Sequence, residues 1–363
     1  MTLITFQSRI HFATDVLEEA LRAELEESGH DRVLVIHDDA QSHHQLLERV
    51  HIAMPDNVSR ETLTIVPGNT KVQTANLGLG YDEIDPFDVI IACGSSRAIA
   101  HARKCRQLVA QTKFAALPRN QRQSVRSQTF LPDFYAIPGV DGLPDPCLSG
   151  GSTASIKTSP PNVIICDPSV ITESSEVDIA NAFATTLGRC LGTFAGSNFN
   201  PLADGMAAEG LWRLAKILPQ VYANNTGSFV LRDLMAASLN GSISQQKGPR
   251  LVEAIANALT LLTQNDVDTG SLQRILLPRL LHDLQLVSRN DEALILRLLD
   301  ADEDATLSKS VEDILDPLPL NRTLSDMGYS LSDVQRAIST AEDRIQLSSP
   351  IAQQIQTIVE DVF

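Results

Sequence analysis

The hydrophobic pattern of the chain changes at one point, between residues 163 and 208. Before it, short and almost wholly apolar runs such as residues 32–37 and 87–92 alternate with turns, which is typical of strands covered on both faces of a parallel sheet. After it, apolar residues recur every three or four positions, which is typical of amphipathic helices. The sequence therefore predicts an α/β domain with a Rossmann-like parallel sheet over residues 1–170 and an all-α helical domain over residues 171–363.

The apolar spacing also predicts individual elements. Asp15 with Glu18, and Ser332 with Gln335, have the spacing of a capping box, in which two side chains bond the first N–H groups of a helix. Residues 131–161 are rich in Pro, Gly and Ser and predict long loops near the domain junction. Strands are expected at residues 4–6, 32–37, 63–66, 87–92 and 163–166. Helices are expected at residues 16–28, 45–50, 98–108, 209–218, 230–239, 251–262, 272–287 and 292–299.

The formal net charge of −16 limits the partners that the chain can have. Such a field repels nucleic-acid phosphates and anionic lipids, so we expect no nucleic-acid and no membrane binding. No apolar run approaches 18 residues and no secretory signal is visible, so we expect a soluble, cytoplasmic protein. The five cysteines form no C-x-x-C pair. They are therefore predicted to be buried or idle thiols rather than a zinc or redox motif.

One turn has the residues of a phosphate site. Gly94, Ser95 and Ser96 stand between an apolar run and a helical pattern. The first N–H groups of a helix lie at the positive end of its dipole and bind phosphate well. Turns of this kind are also common as purely structural helix caps. The turn alone therefore leaves both interpretations open.

Six motifs stand in order along nearly the whole chain, at residues 88–95, 135–138, 163–168, 200–204, 276–278 and 323–328. Together they resemble the iron-containing alcohol dehydrogenases and the related maleylacetate reductases. The first resembles the turn that binds the dinucleotide pyrophosphate in that family, the second resembles the strand before its cofactor loop, and the third resembles the strand and Asp-Pro that close its first domain. The resemblance implies an α/β domain, a helical domain and a cleft between them for cofactor and substrate.

The resemblance also implies a divalent iron or zinc ion. The family holds it with an aspartate or asparagine, a histidine four residues later and two further histidines. Alignment places Asn181 and Thr185 at the first two positions, and Asn257 and Thr269 at or near the others. Amide and hydroxyl oxygens bind these metals poorly compared with imidazole and carboxylate, and His282 is the one histidine beyond the junction. We therefore expect no metal site and no metal polarisation of a substrate carbonyl.

The residues at the cofactor-binding positions also differ from the family pattern. Ala92 and Cys93 stand where the family has two glycines of its pyrophosphate turn, and we expect their Cβ atoms to crowd the phosphates. Asp141 adds a negative charge where the family has a threonine-rich cofactor loop. Asp38 matches a position that contacts the adenosine ribose in NAD-using members, and a solvated turn aspartate is an equally good interpretation.

These observations leave three functions open. We favour a metal-independent enzyme that carries out a non-redox step on a small organic molecule, such as isomerisation, dehydration or cyclisation in specialised metabolism, and that needs no cofactor. The second function is an NAD(P)H-dependent reductase of the maleylacetate reductase type without the metal, and the third is a non-catalytic pseudoenzyme or binding partner. The resemblance favours a homodimer. Candidate cleft residues are Asn181, Thr185, Asn257, Thr269, Arg279 and His282. Candidate residues for NAD(P), if it binds, are Asp38, Gly94, Ser95 and Ser96.

Overall fold

The structure, a computed structural model, divides the chain into two compact units. The described residues up to 142, together with 160–173, form the N-terminal unit, and those from 174 onwards form the helical unit. The structure describes residues 8–38, 44–65, 87–116, 131–142, 160–245, 247, 251–263, 267–302, 304–345 and 349–363.

Six parallel strands form the sheet of the N-terminal unit, as far as the structure describes it. They are β1 (Arg9–Phe12), β2 (Arg32–Asp38), β3 (Ser59–Ile65), β4 (Val89–Gly94), β5 (Asp133–Pro138) and β6 (Val163–Cys166). Their order across the sheet is β1-β6-β5-β4-β2-β3. Four of the predicted strands are confirmed, and the third starts earlier than expected. The strand that the resemblance implies at residues 135–138 is present as β5, which corrects the expectation of loops at the start of residues 131–161. The run at residues 4–6 lies outside the described residues, while β1 escapes prediction because it is a short edge strand with polar residues.

Helices cover both faces of this sheet, which is why its central strands are apolar on both sides. The helices α1 (Leu17–Ser28) and α2 (His44–Ala53) lie on one face, and α3 (Ser96–Ala116) lies on the other. Consecutive residues of β2 belong to different layers, because Val35 packs with α1 and α2 whereas Leu34 packs with α3. The predicted Rossmann-like arrangement of a parallel sheet between helices is confirmed.

The buried carboxylate of Asp167, just after β6, holds the start of α1. Its oxygens accept the N–H groups of Asp15 and Leu17 at 2.9 and 3.1 Å, and Arg49 of α2 donates to it at 3.0 Å. Asp15 has a left-handed φ of 59°, so the capping box predicted for Asp15 with Glu18 is wrong. Asp167 instead bonds N–H groups that the helix leaves unpaired. It therefore ties β6, α1 and α2 together.

The helical unit is built around one central helix. Its helices, among the described residues, are α4 (Glu176–Phe194), α5 (Pro201–Tyr222), α6 (Ser228–Ser244), α7 (Leu251–Thr263), α8 (Thr269–Leu284), α9 (Arg289–Leu298), α10 (Leu307–Leu315), α11 (Leu331–Ile345) and α12 (Ser349–Val362). A capping box of Ser175 and Asp178 starts α4, which packs against α5, α6 and α8 and is buried along most of its length. The predicted all-α architecture of this half is confirmed.

One helix start in this unit differs from the prediction. Ser330 accepts the N–H of Asp333 at 3.2 Å, and the Asp333 carboxylate accepts the N–H of Ser330 at 3.2 Å. This capping box lies two residues before the predicted pair of Ser332 and Gln335. The helix starts earlier because Leu331 packs against a core that α7, α8, α11 and α12 share.

The described cysteines are buried thiols, as predicted. Cys93, Cys105, Cys166 and Cys190 are free and buried, and Cys147 lies outside the described residues. Burial raises the pKa of Cys105 to about 11 and that of Cys190 to about 12. These two thiols therefore stay protonated and unreactive near neutral pH. Among the helices that the structure describes, none is long and apolar enough to span a membrane.

Candidate functional site

The turn after β4 leads directly into α3. Gly94, the last residue of β4, has a left-handed φ of 103°, which favours glycine. The Ser95 hydroxyl accepts the N–H of Ala98 at 3.2 Å, and its carbonyl accepts the N–H of Ile99 at 3.1 Å. Ser96 is the first residue of α3 and is half-buried. The turn thus places a helix N-terminus at the carboxyl edge of the sheet, the arrangement that binds phosphate.

The residues after β5 pack against this turn. The Gly94 carbonyl accepts the N–H of Gly139 at 2.8 Å. A Cβ atom at Gly142 would collide with that same carbonyl oxygen, so Gly142 must stay a glycine. The two segments therefore meet backbone to backbone, and this contact holds Gly94 in its conformation.

Asp38 ends the strand next to β4. His37 of β2 is paired with Cys93 of β4, so Asp38 and Gly94 occupy neighbouring strand ends. From β2 the chain continues through α2 to β3 on one side, and from β4 through α3 to β5 on the other. Parallel sheets bind ligands at such a reversal. Asp38 is 4% exposed, so it is not the solvated turn residue of the alternative interpretation. The structure brings together Asp38, Gly94, Ser95 and Ser96.

Ala92 and Cys93 lie inside β4 and do not reach the turn. Ala92 packs in the layer of α3, and Cys93 packs in the layer of α1 and α2. Burial, together with the charge of Asp38, raises the pKa of Cys93. The two residues therefore pack on opposite faces of the sheet, and the expectation that their Cβ atoms crowd a phosphate stays a prediction. The side chain of Asp141 lies outside the described part, so its effect stays a prediction.

In the helical unit, three of the aligned metal-ligand positions come together. Asn181 and Thr185 lie one turn apart on α4, and the Thr185 Oγ1 lies 3.4 Å from the Asn181 Oδ1. Thr269 starts α8, and the N–H of the next residue, Gly270, donates to the same Asn181 oxygen at 2.6 Å. Thr185 is buried and Asn181 is half-buried. The cluster therefore contains amide, hydroxyl and backbone groups, all of them neutral.

The other candidate cleft residues lie elsewhere. Asn257 is exposed on α7. Arg279 and His282 are exposed on α8, and a rise of about 1.5 Å per residue puts them roughly 15 and 20 Å from Thr269 along the helix. His282 bonds Asp283 at 2.6 Å. The structure does not bring Arg279 and His282 to the cluster of Asn181.

Comparison with known proteins gives the fold a name. No protein-family model matches the chain. The iron-containing alcohol dehydrogenase from Thermococcus thioreducens superposes with a TM-score of 0.78 at 17% identity, covering 99% of this chain and 99% of that one. The enzyme from Corynebacterium glutamicum gives 0.73 at 16% identity, covering 100% and 98%. This chain has the iron-containing alcohol dehydrogenase fold.

Two further relatives carry the same resemblance. The maleylacetate reductase from Agrobacterium tumefaciens superposes on this iron-containing alcohol dehydrogenase fold with a TM-score of 0.68 at 16% identity, covering 100% of this chain and 97% of that one. The 4-hydroxybutyrate dehydrogenase of Cupriavidus necator is 26% identical over 188 residues. That match covers 50% of this chain and 49% of the relative, so it spans about half the length of each. The resemblance that the sequence motifs indicate is confirmed.

The family resemblance implies a divalent metal, and the residues that the motif alignment places at its ligand positions do not fit one. The Asn181 oxygen already accepts a backbone N–H, Thr185 offers a neutral hydroxyl and Asn257 is exposed. In the part of the chain that the structure describes, no three His, Cys, Asp or Glu side chains are grouped so that they could hold a metal ion. Iron and zinc prefer imidazole, thiolate and carboxylate ligands. The amide and hydroxyl oxygens at these positions are therefore the wrong kind of donor atom for iron or zinc.

Two glycines matter to these sites and escape prediction. Gly142 supports the turn at Gly94, and Gly270 lets α8 approach Asn181. The sequence shows Gly142 inside a loop and Gly270 at the start of a helical pattern, where glycine is ordinary. Their importance comes from neighbours 48 and 89 residues away, which only the folded chain brings close.

Proposed function

We propose that this chain is an enzyme that binds a nicotinamide dinucleotide at Gly94, Ser95 and Ser96 and oxidises or reduces a small organic molecule. The observation that carries the proposal is the position of this turn, beside Asp38 at the reversal of the sheet. The names of the relatives, which are dehydrogenases and a reductase, support a redox reaction on an alcohol or carbonyl compound. Under this proposal, the residues aligned with the family's metal ligands hold no metal ion.

The residues of the turn have distinct roles in this proposal. The backbone N–H groups at the start of α3, at Ser96 and after it, hold the pyrophosphate, because the dipole of a helix favours negative charge at its N-terminus. Asp38 matches the family position that contacts the adenosine ribose, and it carries a negative charge there. It repels a 2′-phosphate, so NAD(H) is preferred over NADP(H). When bound, the dinucleotide supplies a nicotinamide ring that accepts or donates a hydride.

A second candidate is a non-redox step on a small molecule in the same scaffold. The arrangement around Asn181 favours it, because a bound amide and the neutral hydroxyl of Thr185 offer no strong polarisation of a carbonyl. Isomerisation, dehydration and cyclisation can proceed through orientation and hydrogen bonding. Under this candidate, nucleotide binding is absent or has no part in the reaction.

Calorimetric titration with NADH and NADPH tests the first proposal. We expect NADH to bind with a dissociation constant in the micromolar range and NADPH to bind at least about tenfold more weakly, a difference of about 1.4 kcal/mol. A panel of short aldehydes, keto acids and alcohols is then assayed by nicotinamide absorbance with and without EDTA. We expect turnover that EDTA leaves unchanged.

The possible results separate the candidates. Turnover that stops with EDTA and returns with iron or zinc contradicts the metal-free part of the proposal. Lack of any NADH or NADPH binding contradicts the redox proposal itself. In that case, chemical change of a small molecule without added nucleotide supports the non-redox candidate, and its absence supports a non-catalytic binding role.

A further inference from the structure

A small cavity lies inside the helical unit, between α4, α7 and α8. Small residues form its α4 side, namely Gly188 and Gly192 of α4 and Ala195 just after that helix, and Gln273 of α8 lies opposite them. The space open to the centres of water-sized molecules is about 30 Å³. One water molecule needs about 10–15 Å³ by the same measure. The cavity therefore has room for a molecule of two or three non-hydrogen atoms.

Gln273 brings an unpaired polar group to this cavity. Its side chain is buried, with 1% of the residue exposed, and its Oε1 makes no hydrogen bond in the part of the chain that the structure describes. A Cβ atom built on Gly188 would collide with this carboxamide, so the carboxamide lies against Gly188 at the cavity wall. A buried polar group without a partner costs free energy, and a hydrogen bond from a bound molecule recovers it.

Glu253 is a second polar residue of the wall, and its charge is already balanced. Its Oε1 accepts the Nε of the buried Arg189 at 3.3 Å and the Nε2 of Gln245 at 3.4 Å. A bound ammonium group would face the guanidinium of Arg189, and a bound carboxylate would face Glu253. Burying either ion without a partner is costly, so the site favours a neutral molecule.

The remaining wall is largely apolar. Leu277, Leu280 and Leu281 line one face of the cavity from α8, and Leu251 lines it from the start of α7. A buried water typically makes about three hydrogen bonds and needs two to four polar partners. Leucine side chains offer it none. A hydroxyl group on a short hydrocarbon matches both parts of the wall, because the hydroxyl can bond an amide while its carbons contact leucine.

We propose that this cavity binds a small neutral alcohol of two or three carbons. The hydroxyl bonds the carboxamide of Gln273, and the carbons contact the leucines of α8. Gly188 is roughly 10 Å along α4 from Asn181, and Gln273 is about 6 Å along α8 from Thr269, so the cavity lies beyond the cluster of aligned metal-ligand positions. Binding there requires no dinucleotide, and it is therefore independent of the proposed redox reaction.

Titration with ethanol, in the absence of nucleotide, tests the site. The protein carries ¹³C-labelled leucine methyl groups, and their NMR signals are followed. We expect a few signals to shift in a saturable way with a dissociation constant of about 1–100 mM, because so few atoms limit the affinity. Ethylammonium and acetate have a similar size but carry a charge, and both should bind at least about tenfold more weakly. Shifts that do not saturate, or charged molecules that bind as well as ethanol, contradict the proposal.

Gln273→Leu removes the carboxamide and keeps the approximate size of the side chain. We expect ethanol to bind about tenfold more weakly, because one hydrogen bond is lost. The thermal unfolding midpoint should rise by about 2–4 °C, because the unpaired buried group is gone. A lower midpoint would show that the fold itself satisfies Gln273, and an unchanged ethanol affinity would show that the ligand does not bond it. Either result overturns the proposal.

Filling the cavity gives a second test that does not depend on Gln273→Leu being folded. Ala195 lines the cavity and is half-buried, so Ala195→Leu should fill the space and abolish the saturable shifts. Ala293→Leu makes the same change at an exposed position of α9, and it should bind ethanol as the wild type does. If Ala195→Leu and Ala293→Leu bind ethanol equally well, the alcohol lies elsewhere and the proposal is wrong.

Discussion

Asp167→Asn is expected to destabilise the N-terminal unit by about 3 kcal/mol or more. The Asp167 carboxylate is 0% exposed and accepts bonds from the N–H groups of Asp15, Leu17 and Ser169 and from the Arg49 guanidinium. An asparagine turns one acceptor into an NH₂ group that faces these donors. It also removes one of the two carboxylates that pair with Arg49, the other being that of Glu18.

Urea unfolding followed by far-UV circular dichroism measures this loss. Asp15→Asn is the matched control, because Asp15 is exposed and asparagine tolerates its left-handed φ of 59° well. We expect Asp15→Asn to shift the free energy of unfolding by less than about 0.5 kcal/mol. Equal urea midpoints for Asp167→Asn and the wild type would show that the carboxylate does not hold these elements together.

The same substitution should change the dependence of stability on pH. Burial raises the pKa of Asp167, but hydrogen bonds from Ser169, Asp15 and Leu17 outweigh it, so the folded-state pKa lies below the ordinary value. A depressed carboxyl pKa contributes stability above the unfolded-state pKa of about 3.9, and this contribution is lost as the pH falls through the folded-state value. The difference between the wild type and Asp167→Asn should therefore be constant above about pH 5 and shrink below pH 4.

Other carboxylates of the unit add to this loss of stability in acid. The pKa of Glu18 is lowered by its hydrogen bonds to Arg49, and the pKa of Asp133 is lowered by its hydrogen bond to His30. Both groups are partly exposed, so solvent weakens their contribution. Both proteins should therefore lose stability in acid, and the free energy of unfolding should fall less steeply with pH in Asp167→Asn than in the wild type. Measuring both proteins across the pH range separates the contribution of Asp167 from that of Glu18 and Asp133.

The architecture could be predicted from the sequence because its signals are local. The apolar runs of β2, β4 and β6 are buried on both faces, and each reads as a strand without knowledge of its neighbours. The amphipathic spacing after residue 175 likewise identifies helices one by one. The features that the sequence does not predict depend on contacts between residues that are far apart in the chain. Asp15 adopts a left-handed conformation because its N–H bonds Asp167, which lies 152 residues away.

The candidate sites also combine features that local sequence signals predict with features that depend on distant contacts. The spacing of Asn181 and Thr185 indicates one helical face, and their hydrogen-bond contact agrees with it. The partner of Asn181 is the backbone of Gly270, which no side-chain motif reveals. At the other site, alignment places Ala92 and Cys93 at two glycines of the family's turn, whereas strand pairing places both within β4, before its last residue Gly94. Alignment identifies positions, whereas packing decides which atoms are available.

Ser96→Asp should weaken NADH binding by about 100-fold without destabilising the protein. Ser96 is the first residue of α3, where a carboxylate stabilises a helix by about 0.3–1 kcal/mol. The same charge lies about 5 Å from the proposed pyrophosphate, and at an effective dielectric constant of about 20 the repulsion is roughly 3 kcal/mol. Because folding and binding respond in opposite directions, the variant separates a role in binding from a role in folding.

Two controls isolate the effect of the charge at this position. Ser96→Asn has the size of aspartate without its charge, and it should bind NADH within about threefold of the wild type. Gln111→Glu adds the same charge on the exposed side of α3, about 22 Å further along the helix, where the repulsion is screened by salt. Calorimetry gives the dissociation constants and thermal unfolding gives the stabilities. If Ser96→Asp binds NADH as Ser96→Asn does, the phosphates do not lie at this turn, and the role of the turn is to cap α3.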